Sequence, residues 1–149
     1  MESKSEQEEL RRLSVELRYL EQTAEALQSR LNMINAVGTD LTYASTTLES
    51  LEKEKENLEL LVPIGGTSYI RARLDNPDKI IVGIGAGVSV EKTRQEAKDI
   101  IKKRLEDLEK TRMSMQQQFV KVADKMNEDR ERFETLMAAL REGKTPKNV

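Results

Sequence analysis

The middle of the chain decides its fold, and residues 61–93 read LVPIGGTSYIRARLDNPDKIIVGIGAGVSVEKT. Apolar and polar residues alternate here with a period of two, the pattern of strands that bury one face. This alternation predicts four short strands, at residues 61–64, 68–74, 80–84 and 88–90. Gly65-Gly66 and Gly85-Ala86-Gly87 are typical of tight turns, so we expect the strands to form two hairpins.

Two hairpins in so short an insert cannot bury both faces of their strands or protect their edges. Isolated hairpins are only marginally stable in water, and an unpaired strand edge recruits further strands. The insert therefore predicts that the chain oligomerises through its strands.

Residues 1–60, before the insert, are predicted to form one coiled-coil helix. Apolar residues recur there at spacings of three and four, the 3.5-residue period of a coiled coil. The predicted seam positions, ten of twelve apolar, are Leu10, Leu13, Leu17, Leu20, Ala24, Leu27, Leu31, Ile34, Gly38, Leu41, Ser45 and Leu48. Gly38 leaves two readings open: a flexible point in the helix, or a small residue that makes room for a large partner such as Arg112.

A second coiled-coil helix is predicted at residues 93–142, which follow the assembly region at 61–92. Thr93 and Glu96 have the spacing of a capping box, which marks a helix start. Gly143 and Pro146 mark its end, and residues 143–149 are expected to form a flexible tail. The seam positions, again ten of twelve apolar, are Ile101, Leu105, Leu108, Arg112, Met115, Phe119, Val122, Met126, Asp129, Phe133, Leu136 and Leu140.

The two helices are predicted to pair as an antiparallel coiled-coil hairpin. Equal lengths place Leu10 near Leu140 and Leu48 near Ile101, to within about one helical turn. Residues 1–60 carry 13 acids and 7 bases, whereas residues 91–149 carry 12 acids and 15 bases. We therefore expect acids of the first helix to pair with bases of the second across the edges of the seam.

The composition excludes most familiar classes of catalytic site. The 149 residues include no Cys, His or Trp, so thiol nucleophiles, imidazole bases, disulfides and the usual zinc ligands are missing. The chain is 35% charged and 37% hydrophobic, which favours an elongated protein over one with a large core. We expect no enzyme activity, no cofactor and no metal.

Neither nucleic acid nor a membrane is expected as a partner. The formal net charge of −2 provides no broad attraction for polyanions, and no apolar stretch approaches the length of a membrane span. The basic run Lys102-Lys103-Arg104 is followed by acids and is better explained as a solvated helix face. Gly83-Ile84-Gly85-Ala86-Gly87-Val88 lacks the third glycine of a dinucleotide fingerprint and favours a turn. A cytoplasmic location is the default expectation.

Apolar residues at the two outer ends of the predicted helices form a candidate binding surface. Met and Phe side chains adapt to varied partners, so these ends could hold unfolded polypeptide if the coil frays. The other reading is that they are ordinary helix-to-helix core, and both hold if the end opens. We call this set the tip residues: Leu10, Leu13, Leu17, Met126, Phe133, Leu136, Met137 and Leu140.

The central motifs resemble those of the prefoldin family. The resemblance is carried by the segments Leu61-Val62-Pro63-Ile64-Gly65 and IVGIGAGVSVEKT, at residues 81–93. The two-hairpin insert is similar to the alpha class, whereas the beta class has one hairpin. The chain length and the absence of His and Cys point to an archaeal form.

This resemblance implies an ATP-independent chaperone that catalyses nothing. Two alpha-class and four beta-class subunits would form a hexamer through a shared β-barrel platform. The coil tips would capture non-native polypeptides and pass them to a group II chaperonin. The implied assembly residues, here the strand residues, are Val62, Ile64, Ile70, Leu74, Ile80, Val82, Ile84, Val88 and Val90. The alternative function is a coiled-coil adaptor or scaffold that binds one folded partner.

Overall fold

Along the chain, one long helix precedes and another follows two β-hairpins in the computed structural model, which describes residues 2–144. The elements are α1 (Glu2–Leu51), β1 (Glu59–Gly65), β2 (Ser68–Arg73), β3 (Lys79–Gly85), β4 (Val88–Thr93) and α2 (Arg94–Lys144). Antiparallel pairing joins β1 to β2 and β3 to β4 in two separate two-stranded sheets. The predicted architecture of two long helices around a two-hairpin insert is confirmed.

The chain divides into two units that are described separately. The coil unit comprises residues 2–34 and 110–144, and the hairpin unit comprises residues 35–109. In the hairpin unit a core joins both helices to the second hairpin through Leu48, Val82, Ala97 and Ile101. The predicted proximity of Leu48 and Ile101 is confirmed. Ala97 of α2 has no exposed surface, so its methyl group is completely covered by the residues that pack against it in this core.

Both hairpins turn through two residues with positive φ. Gly66 and Thr67 have φ values of 55° and 59°, and Ala86 and Gly87 have values of 52° and 74°. Such turns match the right-handed twist of the strands that they join. The pairing extends further than predicted, with Glu59 opposite Arg73 and Lys79 opposite Thr93.

The first helix is shorter than the sequence pattern indicated. It ends at Leu51 and not near residue 60, because residues 52–57 read EKEKEN and offer no apolar side chain to the seam. Asn57 adopts φ 65°, and its amide donates to the Leu74 carbonyl at 2.6 Å. The backbone amide of Leu74 in turn donates to the Leu58 carbonyl at 2.8 Å. Residues 57 and 58, which were predicted to be helical, therefore extend the first hairpin.

The second helix begins where the capping pattern predicts. The Glu96 amide donates to the Thr93 hydroxyl at 3.1 Å, so Thr93 both ends β4 and caps α2. The Glu96 carboxylate lies 3.7 Å from the Lys92 ammonium. The helix continues through Gly143 to Lys144, two residues into the predicted tail, and residues 145–149 lie outside the described part of the chain.

In the coil unit the helices are antiparallel, and ion pairs between described side chains join them. Glu9 pairs with Arg132, Glu16 with Lys125 and Glu21 with Arg130, and in every case α1 supplies the acid and α2 the base. This is the charge distribution that the sequence predicted. Arg132 lies eight residues before Leu140, just over two helical turns, so this ion pair does not test the expected pairing of Leu10 with Leu140.

Gly38 lies within α1, in the hairpin unit. A Cβ atom added there would meet Leu108 Cδ2 at 3.5 Å, an ordinary van der Waals distance. Space for a large partner is therefore not what requires glycine at this position.

Replacing Gly38 with Ala is expected to stabilise the chain by about 0.5–1 kcal/mol, because glycine loses more backbone freedom in a helix. Gly85→Ala is the matched control, since Gly85 has φ +111° and a side chain there is strained at a cost of ~1–3 kcal/mol. Thermal unfolding followed by circular dichroism measures both. Destabilisation by Gly38→Ala would contradict this account.

Candidate functional site

The first hairpin exposes apolar side chains along its length. Val62 pairs with Ile70, and Ile64 lies two residues beyond Val62 on the same face. All three are exposed, by 44%, 54% and 58% respectively. Side chains of this kind are normally covered, so this face is a candidate interface.

The second hairpin covers one end of its apolar face and exposes the other. Val82 is buried in the core of the hairpin unit, and Ile80 packs against that core. Towards the turn, Ile84 and Val88 are more than half exposed. The helices therefore anchor the base of this hairpin, and its turn end remains uncovered.

Unpaired strand edges accompany the exposed faces. Each sheet of the described chain has only two strands, so every strand lacks a hydrogen-bonded neighbour on one side. Exposed edges of this kind are templates for strands of another chain.

Two arginines of α2 tie the second hairpin region to the helices. The Arg104 guanidinium donates to the Gly83 carbonyl, and Arg94 donates to the Leu51 carbonyl at 3.5 Å. The Arg94 amide also donates to the Asp78 carbonyl at 3.2 Å. These bonds fix the direction in which β3 and β4 leave the helices.

Eight of the nine strand residues lie in strands, and Leu74 follows the end of β2. Val62 faces Ile70 across the first hairpin, and Val82 faces Val90 across the second. The other faces of the hairpins carry exposed apolar residues that lie in the predicted strands but are not among the strand residues named above: Leu61, Tyr69 and Ile81. For Leu61 and Ile81 the signal was the continuous apolar run in β1 and in β3, which places apolar side chains on both faces of the strand.

The tip residues all lie in the coil unit, and most of their surface is covered. Leu13 and Leu136 are only 5% and 4% exposed. The other six are half-buried. With the helices together, these side chains form seam contacts, which agrees with the reading as core.

A bidentate ion pair joins the helices among the tip residues. Arg132 donates from Nε to Glu9 Oε1 at 2.9 Å and from Nη2 to Glu9 Oε2 at 3.2 Å. These hydrogen bonds hold the pKa of the Glu9 carboxyl below its usual value of 4.5, and they raise the pKa of Arg132. The pair therefore favours the closed coil when both groups are charged.

An apolar groove of about 640 Å³ crosses the coil unit between Tyr19, Ala26 and Leu27 of α1 and Val122 of α2. Val15, Tyr19 and Met33 are each about two-thirds exposed on α1. The seam period does not predict them, because these residues lie between the seam positions of α1.

The part of the chain that the structure describes contains no group of three or more His, Cys, Asp or Glu side chains able to hold a metal ion. No helix within residues 2–144 is both long enough and apolar enough to cross a membrane.

Comparisons with known proteins agree with the sequence motifs. A family model described as prefoldin subunit matches residues 20–139. Prefoldin subunit alpha of Methanococcoides burtonii is 36% identical over 108 residues, covering 72% of this chain and 78% of that protein. Prefoldin subunit alpha of Methanosarcina mazei is 34% identical over 122 residues, covering 80% and 86%.

A similar fold occurs in the cryo-EM structure of filamentous PFD from Methanocaldococcus jannaschii. The TM-score is 0.68 at 23% sequence identity, and the match covers 77% of this chain and 95% of that one.

Removing the charge of Glu9 is expected to weaken the closed coil near neutral pH. Because the folded pKa is lowered, the stabilisation is fully present above about pH 4.5 and is lost as the pH falls through the folded value. Glu9→Gln should therefore lower the melting temperature at about pH 7, and the difference should vanish on acidification. The exposed Glu8→Gln serves as control. A difference that persists in acid would show that the ion pair is not responsible.

Proposed function

The chain belongs to the prefoldin family, and from this premise we propose that it is the alpha-type subunit of an ATP-independent molecular chaperone. In this proposal two copies assemble with four beta-class subunits through the hairpins. The coil ends capture non-native polypeptides and pass them to a group II chaperonin. The subunit acts by binding alone in the cytoplasm, without a cofactor.

The observation that carries the assembly part is the uncovered apolar surface of the hairpins. Val62, Ile64 and Ile70 are exposed on one face while the strand edges beside them are unpaired. At about 25 cal/mol per Å², covering side chains of this size contributes on the order of 1–2 kcal/mol each. A barrel shared between subunits supplies both the missing cover and the missing backbone partners.

The division of the chain into two units supports the separation of assembly from capture. The strand residues belong to the hairpin unit, and the tip residues belong to the coil unit. The tip residues are apolar and include Met126, Phe133 and Met137, which tolerate varied partners. Capture then requires no particular client sequence.

The first experiment mixes the chain with a beta-class prefoldin subunit and adds an unrelated, chemically denatured protein without nucleotide. A chaperone suppresses the aggregation of that protein, which light scattering measures. A coiled-coil adaptor for one folded partner does not, so undiminished aggregation would refute the proposed function. Increased recovery of the folded client on adding a group II chaperonin tests the transfer step.

Placing a charge in the exposed hairpin face is expected to abolish assembly. Ile70→Asp would bury a carboxylate in the proposed interface, whereas the free subunit leaves this position 54% exposed. Met113→Asp is the matched control, since Met113 is 52% exposed in α2. Mass photometry of the mixture should show a hexamer with the parent chain and the control only. Normal assembly of the Ile70 variant would exclude this face as the interface.

Removing apolar surface at the tips is expected to weaken capture without affecting assembly. In the double variant Phe133→Ser with Met137→Ser, the loss of two half-buried contacts should reduce client affinity about tenfold. Met113→Ser is the control. Suppression assays at graded ratios of complex to client give the affinity, and mass photometry confirms the hexamer. Loss of the hexamer together with capture would contradict the separation of the two roles.

A further inference from the structure

Asp129 occupies a seam position of α2 where the heptad pattern calls for an apolar residue. It is 2% exposed and is the only fully buried polar residue among those the structure describes. In the stripe it stands between Met126 and Phe133, which are half-buried. Its Oδ2 atom is buried without a hydrogen-bond partner. A carboxylate oxygen in this state raises the free energy of the closed coil, because opening would allow water to hydrate it.

The other carboxylate oxygen belongs to a polar layer that links the two helices. Asp129 Oδ1 lies 3.0 Å from the Lys125 ammonium, and the same ammonium lies 3.6 Å from Glu16 of α1. The bond to Asp129 raises the pKa of Lys125, so this side chain stays charged at neutral pH. One lysine is therefore shared between an acid on its own helix and an acid on the facing helix.

The polar layer and the buried tip residues lie in the same part of the coil unit. Leu13 lines one surface groove together with Glu16, Lys125 and Asp129. Leu13 and Leu136 are buried while the coil is closed and reach a client only if the helices separate. The same separation exposes Asp129 to water, which offsets part of the lost apolar contact. In the hairpin unit the buried core is entirely apolar, and separation there brings no such compensation.

We propose that the Asp129–Lys125–Glu16 layer is a built-in opening point of the coil unit, which lets the tip residues separate for client binding while the rest of the coil stays closed. Only the role of the opening in client binding rests on the proposed function. The opening itself is a property of the complex without any client.

The test compares Asp129→Leu with Asp124→Leu in the complete complex. The second variant makes the same chemical change at an exposed position of the same helix. Asp129→Leu leaves no isolated buried charge, because Lys125 is 46% exposed and still faces Glu16. Hydrogen–deuterium exchange of backbone amides in residues 3–20 and 126–143 should slow about tenfold in Asp129→Leu and stay unchanged in Asp124→Leu.

Client capture in the same two complexes provides the second readout. Asp129→Leu should suppress aggregation less well than the parent, although its assembly and its apolar tip surface are intact. Unchanged or faster exchange in Asp129→Leu would overturn the inference. A parent complex that fails to capture clients would refute the proposed function instead, whatever the exchange rates are.

A third variant tests the contact between Glu16 and Lys125, and it is expected to change amide exchange in the opposite sense to Asp129→Leu. Glu16→Gln removes only the α1 acid of the layer, so amide exchange in the same segments should become about twofold faster. Exchange equal to that of the parent would show that Glu16 contributes nothing to closure and would overturn its place in the layer.

Discussion

The contact of the second hairpin with the two helices is the constraint on which the hairpin unit depends. Leu48 from α1, Val82 from β3, and Ala97 and Ile101 from α2 form one buried core. Ala97 is small enough to be completely covered, and Thr93 immediately before α2 ends β4 and caps the helix. With the strand end and the helix start so close in sequence, little freedom remains in how β3 and β4 leave the helices. The first hairpin has no comparable anchor in the described chain, and its apolar residues stay exposed.

Charge adds to apolar contact in specifying how the helices of the coil unit align. The ion pairs Glu9–Arg132, Glu16–Lys125 and Glu21–Arg130 each combine an acid of α1 with a base of α2. A parallel or slipped arrangement of the same helices would lose these pairs, so they favour one alignment even though each contributes little stability. The ion pairs therefore specify the alignment while adding little stability of their own. That combination suits a segment whose buried residues are proposed to become exposed on demand.

Much of this architecture was predictable because its signals are local. The period of two in the insert, the 3.5-residue period of the helices and the Thr93–Glu96 spacing each concern neighbouring residues, and the corresponding elements are present. The predicted end of α1 was wrong because Leu58 continues the apolar spacing of the helix. The hydrogen bonds of Asn57 and Leu58 with Leu74, which end the helix earlier, join residues sixteen or more positions apart and leave no local signal. Leu61 and Ile81 lie in predicted strands but were not named as interface residues, for a related reason. An apolar run does not tell which of its residues the monomer leaves uncovered.

Asp129 shows how the two kinds of information combine. The sequence marks it as an exception in an apolar stripe, which alone is compatible with a side chain that reaches out to solvent. Burial of 2% and an unpaired oxygen exclude that explanation, because an aspartate side chain is too short to leave the seam while the helices are together. A leucine at this position would generally make a more stable coil. The exception therefore has a cost in stability that the proposed opening of the tips explains, and the buried core that anchors the second hairpin has no such cost because it is apolar.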